Sequence, residues 1–200
     1  MKRRILGYVA VMATVICLCA APSFAADNYK IGVGYQGMFN GNMLNGLSVR
    51  GWFGPNTAIG GELNLFYGAS KADLSFAGNG LGSADADLWM AELKFMYAFL
   101  VRQNSRFYAG AKIAYGQYDV TGGPNFNPGF AELKGRAIIP GILVGAEWNF
   151  PALPELGFNF DVGYNYVYNT NTGSVVGNQD VDIDLKMHGI NVAAGIKYYF

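Results

Sequence analysis

Four features of this 200-residue chain have residue types and spacings that could do chemistry. Gly32-Val33-Gly34-Tyr35-Gln36-Gly37 spells a glycine pattern that cradles pyrophosphate when its turn opens a helix. Phe39-Asn40-Gly41-Asn42 follows instead, a turn with no helical pattern behind it, so nucleotide chemistry is not supported. His188 is the sole histidine. As a general base it needs a serine within hydrogen-bond reach. Gly189-Ile190 follows it, no His-x-Ser spacing occurs, and nothing places Ser75, Ser83 or Ser174 beside it, so it reads as a structural or interfacial histidine. Asp180, Asp182 and Asp184 share one strand face and, with Asp85 and Asp87, would offer oxygens to a divalent cation. The usual calcium-loop spacing is missing, and a solvated strand extension is the simpler reading. The fourth feature is a set of charges on alternating positions: Lys30, Arg50, Glu62, Glu92, Lys94, Lys112, Glu147, Asp161 and Lys197. Its chemistry is ion pairing. No cofactor, metal or catalytic residue is expected.

The charges gain meaning from the elements that must carry them. Eight segments alternate apolar with small or polar residues, the period-two signature of strands: roughly 29–39, 47–53, 58–67, 88–99, 107–118, 137–150, 157–168 and 182–200. The last runs Ile190, Val192, Ala194, Ile196, Tyr198, Phe200 on one face. The nine charges fall on the opposite faces, five basic and four acidic, together with Gly32, Gly34, Gly60, Gly110, Gly141, Gly145 and Gly195. Small residues there leave room for long charged chains to cross and pair. An unpaired buried charge would be very costly.

Charged residues make up 14% of the chain and aromatics 15%, with zero net charge. The charged share is well below the usual quarter. Without a basic cluster, nucleic acid is not an expected partner. Beyond the N-terminus the longest apolar stretch, 137–146, is half of the ~20 residues a helical span needs. A bilayer accepts only helices or closed barrels, because unpaired backbone groups in hydrocarbon cost several kcal/mol each. Abundant but dispersed apolar residues therefore predict a barrel, and ~10-residue strands suit its tilted wall. Lys2, Arg3 and Arg4, an uncharged stretch over 5–26 and Ser23-Phe24-Ala25 predict a cleaved signal peptide at 1–25, ahead of a barrel domain at 26–200. Cys17 and Cys19 fall inside that signal without the small residues a lipidation site wants, so the exported part uses no disulfide.

Connections after the second, fourth and sixth strands are short (54–57, 102–106, 151–156). The others are generally longer, as at 68–86, 121–136 and 169–181. Aromatics gather at both ends of the strands, among them Phe53, Phe99, Trp148 and Phe158 at one and Tyr67, Trp89, Tyr115 and Tyr168 at the other. Such girdles mark the two membrane interfaces.

With its signal, its strands and its terminal aromatic, the chain resembles the small outer-membrane barrels of the OmpA transmembrane-domain and OmpX type. The resemblance implies an all-β, eight-stranded antiparallel up-and-down barrel in the bacterial outer membrane, with both mature termini periplasmic. It makes Tyr198 and Phe200 part of the signal read by the assembly machinery. The implied partners are outer-membrane lipid and lipopolysaccharide, that machinery with periplasmic chaperones, and a surface ligand at the outer loops. The expected function is non-enzymatic: a lumen plugged by paired charges, and loops serving envelope integrity, adhesion or interaction. A narrow channel or hydrophobic-ligand barrel of the OmpW type is the alternative, with Pro140 on the lipid-facing side of strand six able to weaken the wall. The charged inner face argues against it. A lipid A-modifying enzyme would need a serine beside His188.

Overall fold

The computed structural model describes residues 29–40, 42–76, 79–122, 130–175 and 179–200. The expected signal, 1–25, lies outside them. Eight strands follow one another: β1 (Tyr29–Asn40), β2 (Asn42–Phe53), β3 (Ile59–Phe76), β4 (Asn79–Arg102), β5 (Ser105–Gly122), β6 (Phe130–Phe150), β7 (Leu153–Val175) and β8 (Gln179–Tyr199). Each pairs antiparallel with the next, and β8 returns to β1, so the sheet is a closed barrel. Closure pairs both edges of the strands through the apolar band, the condition for a sheet to cross hydrocarbon, while 68–76 of β3 and 179–191 of β8 extend beyond it with a partner on one side only.

The register sets the tilt. From Gly32 the partners run Arg50, Glu62, Lys94, Lys112, Gly141, Asn165 and Gly189 around the wall. At the β8–β1 seam Gly32 meets Tyr199 instead, ten residues beyond Gly189. This stagger tilts the strands and fixes a bore just wide enough to be filled by side chains. One turn of the same path lays Arg50, Glu62, Lys94 and Lys112 on four successive strands.

Strand parity turns the protein inside out. Ile142, Ile190, Phe95, Phe99 and Phe200 are exposed on the outer wall, whereas Arg50, Glu62, Lys94 and Lys197 are buried within. The 54–57 turn is a single 3-10 turn in which Thr57 N–H donates to Gly54 C=O at 2.9 Å. Gly54 sits at φ 78°, a conformation that favours glycine.

The strands are longer than alternation indicates. Residues 68–76 and 79–86, expected in a loop, continue β3 and β4 as a paired hairpin, and most of 121–136 and 169–181 likewise extend β5 to β8. The hydrophobic alternation thins there while the backbone ladder goes on.

The seam depends on a close approach at Gly34. A Cβ on it would run into the carbonyl oxygen of Ile196 and lie 2.7 Å from Lys197 Cα. Gly34→Val is expected to prevent closure, read as loss of the compact, heat-modifiable band in unboiled gel samples. Gly61→Ala, where an added Cβ meets nothing within 4 Å, is expected to keep it.

Candidate functional site: the filled bore and the outer wall

The interior is layered. At the short-turn end Trp52, Tyr199, Tyr108, Ala98, Met96 and Leu143 pack into an apolar floor. The Arg106 guanidinium lies over the Trp52 ring, 4.6 Å from its centroid. Toward the outer end Met38, Phe66, Met90 and Ala114 form a second apolar layer, joined by Leu44 and Ile139. The charges lie between the two.

Arg50 stands at the centre of the ionic layer and is fully buried. Its Nε and Nη2 face Glu62 Oε2, and its Nη1 donates to Glu147 Oε2 at 2.8 Å and to the Tyr108 hydroxyl at 3.1 Å. Tyr108 O–H in turn donates to Asp161. Lys94 Nζ reaches Glu62 Oε1 at 3.0 Å and Asp161 Oδ2 at 2.7 Å. Asn64 Nδ2 links Glu62 and Glu92 at 2.7 and 3.0 Å, and Lys112 Nζ completes the chain on Glu92 at 3.0 Å. Two groups of β8 key the closing strand into the layer. Tyr199 O–H donates to Glu147 at 2.5 Å, and Lys197 Nζ to Gln36 Oε1 and Asn159 Oδ1 at 2.8 and 2.7 Å. The cross-strand row explains the meeting: consecutive inward positions on adjacent strands stand within side-chain reach. Glycines make the space. A Cβ on Gly145 would lie 2.6 Å from both Asp161 Oδ1 and Tyr108 Cε2.

Eight of the nine charges marked in the sequence are therefore together. Lys30 is not: it lies exposed and opposite Trp52 in register, below the floor that Trp52 makes. Arg106, absent from the expected set, takes a place instead, its Nε 3.4 Å from Glu147 Oε1. Trp52, Tyr108, Tyr199, Gln36, Asn64 and Asn159 also belong to the filling. Their inward parity was the available signal. Tyr199 sits between outward Tyr198 and Phe200.

The wall holds the other marked residues. Tyr198 and Phe200 are exposed and meet edge to face at 5.3 Å, and Phe200 N–H donates to Ile31 C=O at 2.9 Å. His188 faces outward on β8, with Nδ1 2.6 Å from the Tyr164 hydroxyl and its ring stacked on Tyr166. The side chains of Ser75, Ser83, Ser174, Asp180, Asp182 and Asp184 lie outside the described residues. The β6–β7 ladder pairs Ile138 with Tyr168 and Gly141 with Asn165 but skips Ile139 and Pro140 between them. Proline has no N–H to give, so the wall loses pairing there. Just inside lie Ile139 and the outer apolar layer, and farther out Met187 and Gly189, on inward parity, are exposed.

No family model and no curated protein matches this chain. Solved structures do. OprG of Pseudomonas aeruginosa is 16% identical, covering 88% of this chain and 96% of its own, with a TM-score of 0.62. A major outer membrane protein of Thermus thermophilus is 15% identical over 86% and 99%, with a TM-score of 0.58. AlkL, solved in DMPC bilayers, is 14% identical over 90% and 95%, with a TM-score of 0.50. The fold is that of the small eight-stranded barrels of bacterial outer membranes.

Removing one partner from the ionic layer strands the other in the bore. Glu62→Ala is expected to cost about 3–5 kcal/mol, the range for breaking a buried pair. Lys30→Ala, outside the layer, is expected to stay within about 0.5 kcal/mol. Urea titration of the folded barrel in detergent micelles compares the two.

Proposed function

We propose that this chain is an integral barrel of the bacterial outer membrane, exported by a signal at 1–25, with the barrel in 26–200 and both mature termini in the periplasm. It is non-enzymatic, is closed along its axis, and acts at its outer end in envelope integrity, adhesion or surface interaction. The observation that carries this reading is the buried ionic layer between two apolar layers. A bore filled by side chains that bond one another leaves no continuous aqueous path. The work of such a protein falls to its wall and its outer hairpins. Lipopolysaccharide surrounds the wall, and a surface ligand meets the hairpins. Tyr198 and Phe200, outward at the periplasmic end of the closing strand, serve as the signal for the assembly machinery once periplasmic chaperones deliver the chain. His188 Nδ1 is engaged by the Tyr164 hydroxyl rather than by a serine, which gives no support to a lipid A-modifying enzyme.

A second reading has its own observation. The skipped pairs at Ile139 and Pro140 interrupt the wall beside the outer apolar layer and the exposed Met187. An apolar ligand entering from outside would meet apolar side chains above the ionic layer and a weakened seam through which to leave sideways into the membrane. The charged interior weighs against a hydrophobic conduit only along the full axis; the outer half alone is compatible with one.

Planar-bilayer recording separates the closed barrel from a pore. The expected trace has no large, stable unitary steps, and such steps would overturn the closed-axis reading. For the second reading, transfer of an apolar fluorescent probe into liposomes carrying the protein is expected to fall several-fold in Pro140→Thr, which restores an N–H to the ladder. Unchanged transfer would remove the lateral route.

A further inference from the structure

The ionic layer holds one base too many. Among the described residues five bases and four acids are buried. Arg50 and Lys94 share Glu62 and Asp161, Arg50 and Arg106 share Glu147, and Lys112 takes Glu92. Lys197 is the fifth base. It is buried, and its ammonium bonds two neutral oxygens, Gln36 Oε1 at 2.8 Å and Asn159 Oδ1 at 2.7 Å. The nearest carboxylate oxygen among the described residues is Glu62 Oε2, 3.8 Å away and already faced by two nitrogens of Arg50. An ammonium has three N–H donors. Lys197 spends two of them on the amide oxygens, and the third is open.

A second open donor stands beside it. Gln36 is fully buried and its Nε2 has no partner, while its Oε1 accepts from both Lys197 Nζ and Asn159 Nδ2. Nε2 and Oε1 share one carbon, so the open amide and the open ammonium are on adjoining groups. Across Gly34 in register lies Ser48, whose buried hydroxyl is also without a partner. Ser48 stands next to the open Asn64 Oδ1 on its other side, so those two can serve each other, and the site rests on Lys197 and Gln36. A buried donor without an acceptor costs free energy, and a buried charge without a counter-charge costs more. A water would meet the first need only. A small anion meets both.

We propose that the bore binds one small monovalent anion of the halide class at Lys197 Nζ and Gln36 Nε2, taken up as the barrel closes. With it, five positive charges face five negative ones. Lys197 is on β8 and Gln36 on β1, so the ion bridges the seam at which the sheet closes. An ion that binds the closed barrel and not the open chain stabilises closure in proportion to its concentration. The site belongs to the bore and is independent of what the outer end does.

The test uses the folded barrel with bromide as the probe. In crystals grown in bromide, measured at the bromide absorption edge, one anomalous peak per chain is expected beside Lys197 Nζ and Gln36 Nε2. In detergent micelles the urea midpoint is expected to be higher in chloride than in gluconate at equal ionic strength. Lys197→Met removes the surplus base, and Gln36→Glu supplies the counter-charge from the chain itself. Both variants are expected to keep heat-modifiable migration, to lose the peak, and to give the same midpoint in the two salts. A wild-type bore without the peak, with equal midpoints in chloride and gluconate, overturns the proposal in favour of a water or an uncharged lysine. A peak that survives in both variants overturns it as an adventitious ion only. The wild-type measurements decide even where a variant does not fold.

Discussion

A guanidinium with no route to water sits at the centre of this barrel, and the rest of the structure accommodates it. Arg50 needs carboxylates on more than one side, and Glu62 and Glu147 supply them with direct contacts while Asp161 lies 3.8 Å away. Each of those acids then needs its own donors: Lys94 for Glu62 and Asp161, Tyr199 and Trp52 for Glu147. Taking such groups out of water is expensive, and only dense mutual bonding offsets it. The stagger of the sheet puts Arg50, Glu62 and Lys94 in one row, Glu147 and Asp161 reach them across the bore from β6 and β7, and glycines there let the long chains pass. Apolar floor and outer layer keep water from the ends.

The filled centre holds the wall in one register, since a slip of one residue would turn every inward charge toward lipid. The regular pattern changes at the ladder interrupted at Pro140 and in the hairpins beyond the apolar band. Both lie in the outer half of the molecule. The inner half, from the Arg106–Trp52 stack to the Phe200 contact with β1, is densely packed, its ladder broken by irregularities at Ala98/Leu100 and Asn149/Phe150.

Much of this was legible in the sequence for a simple reason. Inside the membrane-facing band each strand separates two opposite environments, so alternation is sharp, and strand number, closure and the inward set of charges follow from it. Three things were hidden. Parity says that a residue points inward but not at what height, and height decides whether it meets partners or solvent; Lys30 and Arg106 changed places on that account. An inward aromatic such as Trp52 or Tyr108 looks the same as a girdle residue until the stagger is known. The continuation of β3 to β8 runs through Gly-, Ser- and Asn-rich sequence in which alternation is confined to short pieces with small or few apolar residues, such as 71–76 and 83–88.

The unequal strands have a consequence for approach. β1 and β2 are 12 residues each, while β3 to β8 run from 18 to 24. Most of the excess stands beyond the apolar band, on the order of 20 Å of additional strand at the rise of an extended chain. The outer end is therefore not a level ring but a collar with a gap above the first hairpin. Met38 and Leu44 of the outer apolar layer belong to that low side of the collar, so the layer stands nearest to the end of the barrel at the first hairpin.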